Sequence, residues 1–209
     1  MSSHRLVIDG VEIREAADLA EVYARRFAVH GATPETLLYT RTPANHALKI
    51  AHYGRLVADL VESQPDVQLL DVGCGFGSLA EYVTPANYCG IDVTPVLVAE
   101  ARKRYSKHQF LEGALGDLNG TRADVALLIG IMSTVPQPFG LIEEAQQVAH
   151  EAVWVDFNTT DMIVAGSVNP DSRLFERDDV DARLAAMGSR VTRHSGPFYY
   201  IYQLERLGA

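Results

Sequence analysis

The chain has 209 residues, 47% apolar and 22% charged, with 27 Asp and Glu against 18 Lys and Arg for a net charge of -9. That balance excludes a disordered chain and fits one α/β-sized domain, or a core of roughly 150 residues with an appendage. The negative field repels phosphate backbones and anionic lipid, so neither nucleic acid nor a membrane surface is an expected partner.

Cys74 and Cys89 make no spaced framework of pairs, no stretch reaches the roughly 18 apolar residues of a membrane span, and the N-terminus lacks a leader's apolar segment. A cytoplasmic protein is expected, its oligomeric state left open. Residues 1–64 read as a helical segment. Leu19, Val22, Tyr23 and Phe27 form an apolar stripe on a first helix that ends at Gly31, and Tyr23 is assigned to the core. Tyr39, Arg41 and Pro43 lie in a loop. A second helix over 44–62 stops at Gln64-Pro65.

Residues 65–209 alternate short apolar runs with helical stretches. Strands are expected at 67–72, 88–93, 109–111, 125–129 and 152–157, and helices at 78–83, 94–107 and 140–150. Ser78 and Glu81 stand at capping-box spacing, and Thr94-Pro95 opens the second of these helices. A helix over 178–187 and two strands around Ser195-Gly196-Pro197 close the chain. The pattern predicts an α/β fold, a doubly wound and mostly parallel sheet ending in an antiparallel hairpin.

The run Asp71-Val72-Gly73-Cys74-Gly75-Phe76-Gly77 sits where the first strand of this core hands over to a helix. Residues without Cβ let a ligand approach the backbone there, and Asp92, 21 positions after Asp71, ends the next strand where a carboxylate can accept from both ribose hydroxyls. The glycines are spaced G-x-G-x-G, with Ser78 where a dinucleotide site has its third glycine. Asp71 would repel a pyrophosphate but could hold a cationic amino group. These residues favour S-adenosylmethionine over a nicotinamide dinucleotide, which remains a lesser alternative. Cys74, small and between two glycines, suits packing.

LLDVGCGFGSL, YCGIDVTPVLVAEARKRY and GSRVTRHSGPFYYIYQLER resemble a class I S-adenosylmethionine-dependent methyltransferase over residues 67–206. The resemblance implies a seven-stranded Rossmann-like sheet whose last strand is antiparallel. It implies S-adenosylmethionine as cofactor and S-adenosylhomocysteine as product. Cofactor contacts would come from Asp71, Gly73, Cys74, Gly75, Gly77, Asp92, Val93, Ala114, Leu115 and Gly130. The family's acid or amide beside adenine is missing at Ala114-Leu115, or displaced to Asp117.

Methyl transfer from a sulfonium is an in-line displacement, so holding the acceptor in a dry pocket does most of the work. Residues expected after the fourth and fifth strands, from Gly130 to Thr134 and from Asn158 to Thr160, are small and neutral. No [DN]-P-P-[YFW] motif follows the fourth strand, which argues against amino methylation of adenine or glutamine, and Asp156 with Asn158 makes a poor cation site, so no metal is expected. His46, Lys49 and Tyr53 share one face of the second helix. With Tyr39 and Arg41 they would form a polar lid, His46 serving as base because imidazole titrates near neutrality. The expected activity is O- or N-methylation of a small molecule. A protein or tRNA methyltransferase, and a non-catalytic cofactor-binding subunit, are the alternatives.

Overall fold

The computed structural model describes residues 6–33, 36–37, 43–118, 122–162, 173–195 and 199–206. Strands β1 (Val7–Ile8) and β2 (Val11–Glu12) form a small antiparallel hairpin. Its turn is Asp9-Gly10, both at positive φ (48° and 79°), the backbone a two-residue hairpin needs. Helices α1 (Ala16–His30) and α2 (Pro43–Ser63) follow.

The core then runs β3 (Leu69–Val72), β4 (Tyr88–Asp92), α3 (Pro95–Arg104), β5 (Gln109–Glu112), β6 (Ala123–Leu128), α4 (Pro138–Val148), β7 (Ala149–Phe157), α5 (Arg177–Ala185), β8 (Ser189–Ser195) and β9 (Tyr200–Arg206). These seven strands form one sheet in the order β5-β4-β3-β6-β7-β9-β8. β3 to β7 pair in parallel, whereas β9 runs antiparallel to both β7 and β8. The doubly wound sheet with a terminal hairpin is thus the fold the alternation of elements predicts.

Apolar residues divide between the two faces with the period of two that a strand imposes. Leu70, Ala126, Leu128, Val153, Val155 and Phe157 pack with Ile142 of α4 and with Val180 and Leu184 of α5. Their neighbours Leu69, Val125, Leu127 and Trp154 pack with Val57 of α2 and with Val98 and Ala101 of α3. Both faces of the central strands are covered, which explains their nearly unbroken apolar runs.

The structure departs from the predicted helix over 78–83. Ser78–Tyr82 makes one 3-10 turn behind Gly77 at φ +71°, and Ser78 caps nothing. That stretch of sheet face belongs to α2, whose Gly54 lies so near Tyr82 that a Cβ there would stand 2.4 Å from its ring. The N-terminal hairpin and α1 carry a satellite core of Ile8, Ile13, Leu19 and Val22.

Candidate functional site

The strand order reverses at β3, between β4 and β6, and a cavity of about 370 Å3 opens at the C-terminal ends of these strands. An open α/β sheet binds ligands at this place because the crossovers diverge to opposite faces. The floor comes from Val72, Gly73 and Gly75 of the turn after β3, and one side from Ile91, Asp92 and Val93. Gly113, Ala114 and Leu115 follow β5, and Ile131, Thr134 and Val135 follow β6.

Gly73 and Gly75 have φ of 73° and 54°, a left-handed backbone that side chains other than glycine's disfavour. A Cβ on Gly73 would stand 2.6 Å from Cγ2 of Ile131, so any side chain there would clash with the opposite wall. Asp92, 8% exposed, accepts from the amide of Gly75 through Oδ2 and from that of Thr94 through Oδ1, both at 2.9 Å. These bonds hold the turn against the end of β4 and leave each oxygen a lone pair. Burial raises the carboxyl's pKa, while the two amides oppose the rise.

Asp71, Cys74, Gly77 and Gly130 are not in the cavity wall. Asp71 is 2% exposed and accepts from the Tyr88 hydroxyl at 2.6 Å. Burial pushes its carboxyl up to about 7 despite that bond. Cys74 packs against Gly90, and burial pushes its thiol well up. Gly77 fits under Phe110, whose ring would stand 2.7 Å from a Cβ. Asp117 is turned back on its own chain, accepting from the Ala114 amide at 2.8 Å. The cavity at Ala114 and Leu115 is instead walled by Leu141, Gln137 and Glu144.

The cavity's cover differs from the expected one. Arg14, Glu15, Ala16, Leu19 and Tyr23, at the start of α1, close over it together with Leu37. The Asp9-Gly10 dipeptide between apolar residues carried the signal for this, since the hairpin it makes leads directly into that segment. Tyr23 stands in the cavity wall rather than in the core alone. Burial raises its phenol to about 12, partly offset by a hydrogen bond with Thr134.

Among the predicted catalytic residues, Tyr39 and Arg41 lie outside the described residues. His46 is half-buried on α2 and does not line the cavity. Tyr53 is 1% exposed, and its hydroxyl donates to Asp156. Lys49, 4% exposed, pairs with the same carboxylate at 3.0 Å. This face of α2 docks on the end of β7 instead of spanning the cavity, because Asp156 supplies the only kind of partner that lets a lysine be buried there. Among the described residues no cluster of His, Cys, Asp and Glu could hold a metal ion.

Residues 70–155, which contain the glycine turn and Asp92, match the model of a methyltransferase domain family. The match spans less than half of the chain, and over it this chain is similar to a methyltransferase domain. Its fold is similar to that of magnesium protoporphyrin IX methyltransferase (ChlM) from Synechocystis PCC 6803 with bound SAM. The TM-score is 0.68 over 90% of this chain and 97% of that one, at 16% identity. It is also similar to the plantazolicin methyltransferase BpumL, in complex with a monoazolic desmethylPZN analog and SAH. There the TM-score is 0.65 over 92% and 98% of the chains, at 14% identity. In sequence, 116 residues are 30% identical to the non-reducing polyketide synthase sorB of Penicillium rubens. That stretch is 52% of this chain and 4% of the synthase, so this chain spans a small part of that relative.

Proposed function

We propose that this chain is an S-adenosylmethionine-dependent methyltransferase, which transfers a methyl group to an oxygen or nitrogen of a small, largely apolar molecule. The observation that carries the reading is the cavity itself, which the glycine turn, Asp92 and the apolar side chains Leu19, Leu37, Ile131 and Val135 line together. Its volume of about 370 Å3 suits a small ligand. The names of the two structural neighbours, a magnesium protoporphyrin IX methyltransferase and a plantazolicin methyltransferase, support a small-molecule acceptor.

The residues present fit the cofactor. Gly73 and Gly75 take the left-handed backbone of the turn that lines the cavity, and Asp92 offers two lone pairs to vicinal hydroxyls. Ala114, Leu115 and Leu141 give an apolar slot for a base. When bound, S-adenosylmethionine supplies an electrophilic methyl group on a sulfonium. The protein's part is orientation and exclusion of water: Ile131 and Gly73 set the floor, while Leu19 and Tyr23 of α1 close the roof. Tyr23 orients through its hydroxyl and does not act as a base near neutrality, because burial holds its proton. His46 on α2, which follows Tyr39 and Arg41 in the sequence, does not line this cavity, so the proposed transfer rests on positioning and needs no base from that helix.

The test is incubation of the purified chain with methyl-tritiated S-adenosylmethionine and a panel of small phenols, acids and amines, beside tRNA and protein extracts. Label in a small molecule supports the reading. Label confined to tRNA or protein overturns the substrate class, and cofactor binding with no transfer to any acceptor would leave a non-catalytic subunit.

A further inference from the structure

Behind the cavity wall lies a buried ion pair that cofactor binding itself does not use. Lys49 and Asp156 are 4% and 3% exposed, with Nζ of Lys49 3.0 Å from Oδ2 of Asp156. Desolvating two charges costs more than their attraction returns unless further hydrogen bonds complete the carboxylate. Here they do. Oδ2 also accepts from the Tyr53 hydroxyl, and Oδ1 accepts from the Gly130 amide at 2.6 Å. The lysine ammonium also stands 4.8 Å from the centre of the Tyr199 ring.

Asp156 therefore joins three pieces of chain: helix α2 through Lys49 and Tyr53, the end of β7, and the turn that follows β6. That turn is the part that meets the ligand. Gly130 has φ +79°, and the next residue, Ile131, is the side chain packed into the space that a Cβ on Gly73 would need. Ile131 and Gly73 both line the cavity, whereas Lys49, Tyr53 and Asp156 do not. A shift of the Gly130 amide would thus move one wall of the cofactor seat against the other.

We propose that Asp156 is a positioning residue: through the Gly130 amide it fixes the height of Ile131 over the glycine turn, and through Lys49 and Tyr53 it makes that height depend on the docking of α2. The proposal rests on the methyltransferase reading. It gives α2 a part in cofactor binding without any contact between α2 and the cofactor.

The test separates the pin from the charge. Lys49→Met with Asp156→Asn removes both charges and keeps an oxygen for the Gly130 amide. Lys49→Met with Asp156→Leu removes both charges and the acceptor. S-adenosylhomocysteine is titrated calorimetrically into the wild-type chain and both double variants, with thermal melting of each to establish that it is folded. The Asn form should bind within about threefold of wild type and the Leu form at least about tenfold more weakly, the range for losing one acceptor of a buried amide. Equal affinities in the two folded variants would overturn the proposal. No binding by the wild-type chain would instead overturn the methyltransferase reading. Amide hydrogen exchange on the wild-type protein asks the question without any variant. The Gly130 amide should be protected like those of β6, and exchange at the rate of an open loop would refute the pin.

Discussion

Replacing Asp92 by Asn keeps the shape of the side chain and removes its charge, at a position where both oxygens already serve the backbone. Oδ2 takes the Gly75 amide and Oδ1 the Thr94 amide, each at 2.9 Å. The lone pairs left over are those available to the hydroxyls of a ribose. Hydrogen bonds to a charged acceptor contribute about 1.5–3 kcal/mol, against about 0.5–1.5 kcal/mol for neutral pairs. With two such bonds weakened or lost, binding of S-adenosylhomocysteine should weaken by about 2–3 kcal/mol, or roughly 30- to 150-fold in Kd. The same substitution turns an amide NH2 towards a backbone N–H, so part of any loss could arise in the turn and not at the ribose. A 2′,3′-dideoxy analogue separates the two. Calorimetry of both ligands on both proteins closes a double-mutant cycle, in which Asp92→Asn should cost the analogue less than about threefold. An equal loss for both ligands, or an unchanged Kd for S-adenosylhomocysteine, would refute the assignment of Asp92 to the ribose.

Gly73→Ala places a Cβ at φ +73° and 2.6 Å from Ile131. The strained backbone should lower stability by roughly 1–3 kcal/mol, and cofactor binding should fall by more than the Asp92 change; unaltered melting and affinity would contradict the close-approach argument. Asp71 has its folded-state pKa raised to about 7 by burial, above its unfolded value near 4. Ionisation therefore penalises the folded state, and stability should decline as pH rises from about 4 to about 7. Three units set an upper bound of about 4 kcal/mol, so Asp71→Asn should melt above wild type at pH near 8 and match it at pH near 4; the reverse order would refute the burial argument. With a net charge of -9, the chain should retain no tRNA or duplex DNA in filter binding at physiological salt, and tight, salt-sensitive retention would count against a small-molecule acceptor.

What the sequence determined by itself is what local chemistry dictates. Apolar runs covered on both faces marked the parallel strands, and the Ser195-Gly196-Pro197 turn between two short strand segments marked the closing hairpin. Gly73 and Gly75 were legible because a ligand turn needs residues without Cβ, and Asp92 because the spacing put it at the end of the next strand. The spacing of Ser78 and Glu81 misled, since a capping box reports only what a helix could begin with. Whether a helix has room depends on its neighbours, and here α2 fills the space through Gly54 against Tyr82.

The tertiary structure alone decided which helix covers the cavity. Periodicity correctly grouped His46, Lys49 and Tyr53 on one side of α2, but a helix face carries no address for what it meets. The partner of Tyr53 is Asp156, 103 residues away, brought to it by the strand order. That long-range pairing commits Tyr53 and Lys49 to the interior and leaves the cavity to α1. Tyr23 reads from its spacing as part of an apolar stripe, yet it lines the cavity with Asp92 and Thr134 and shares a hydrogen bond with Thr134.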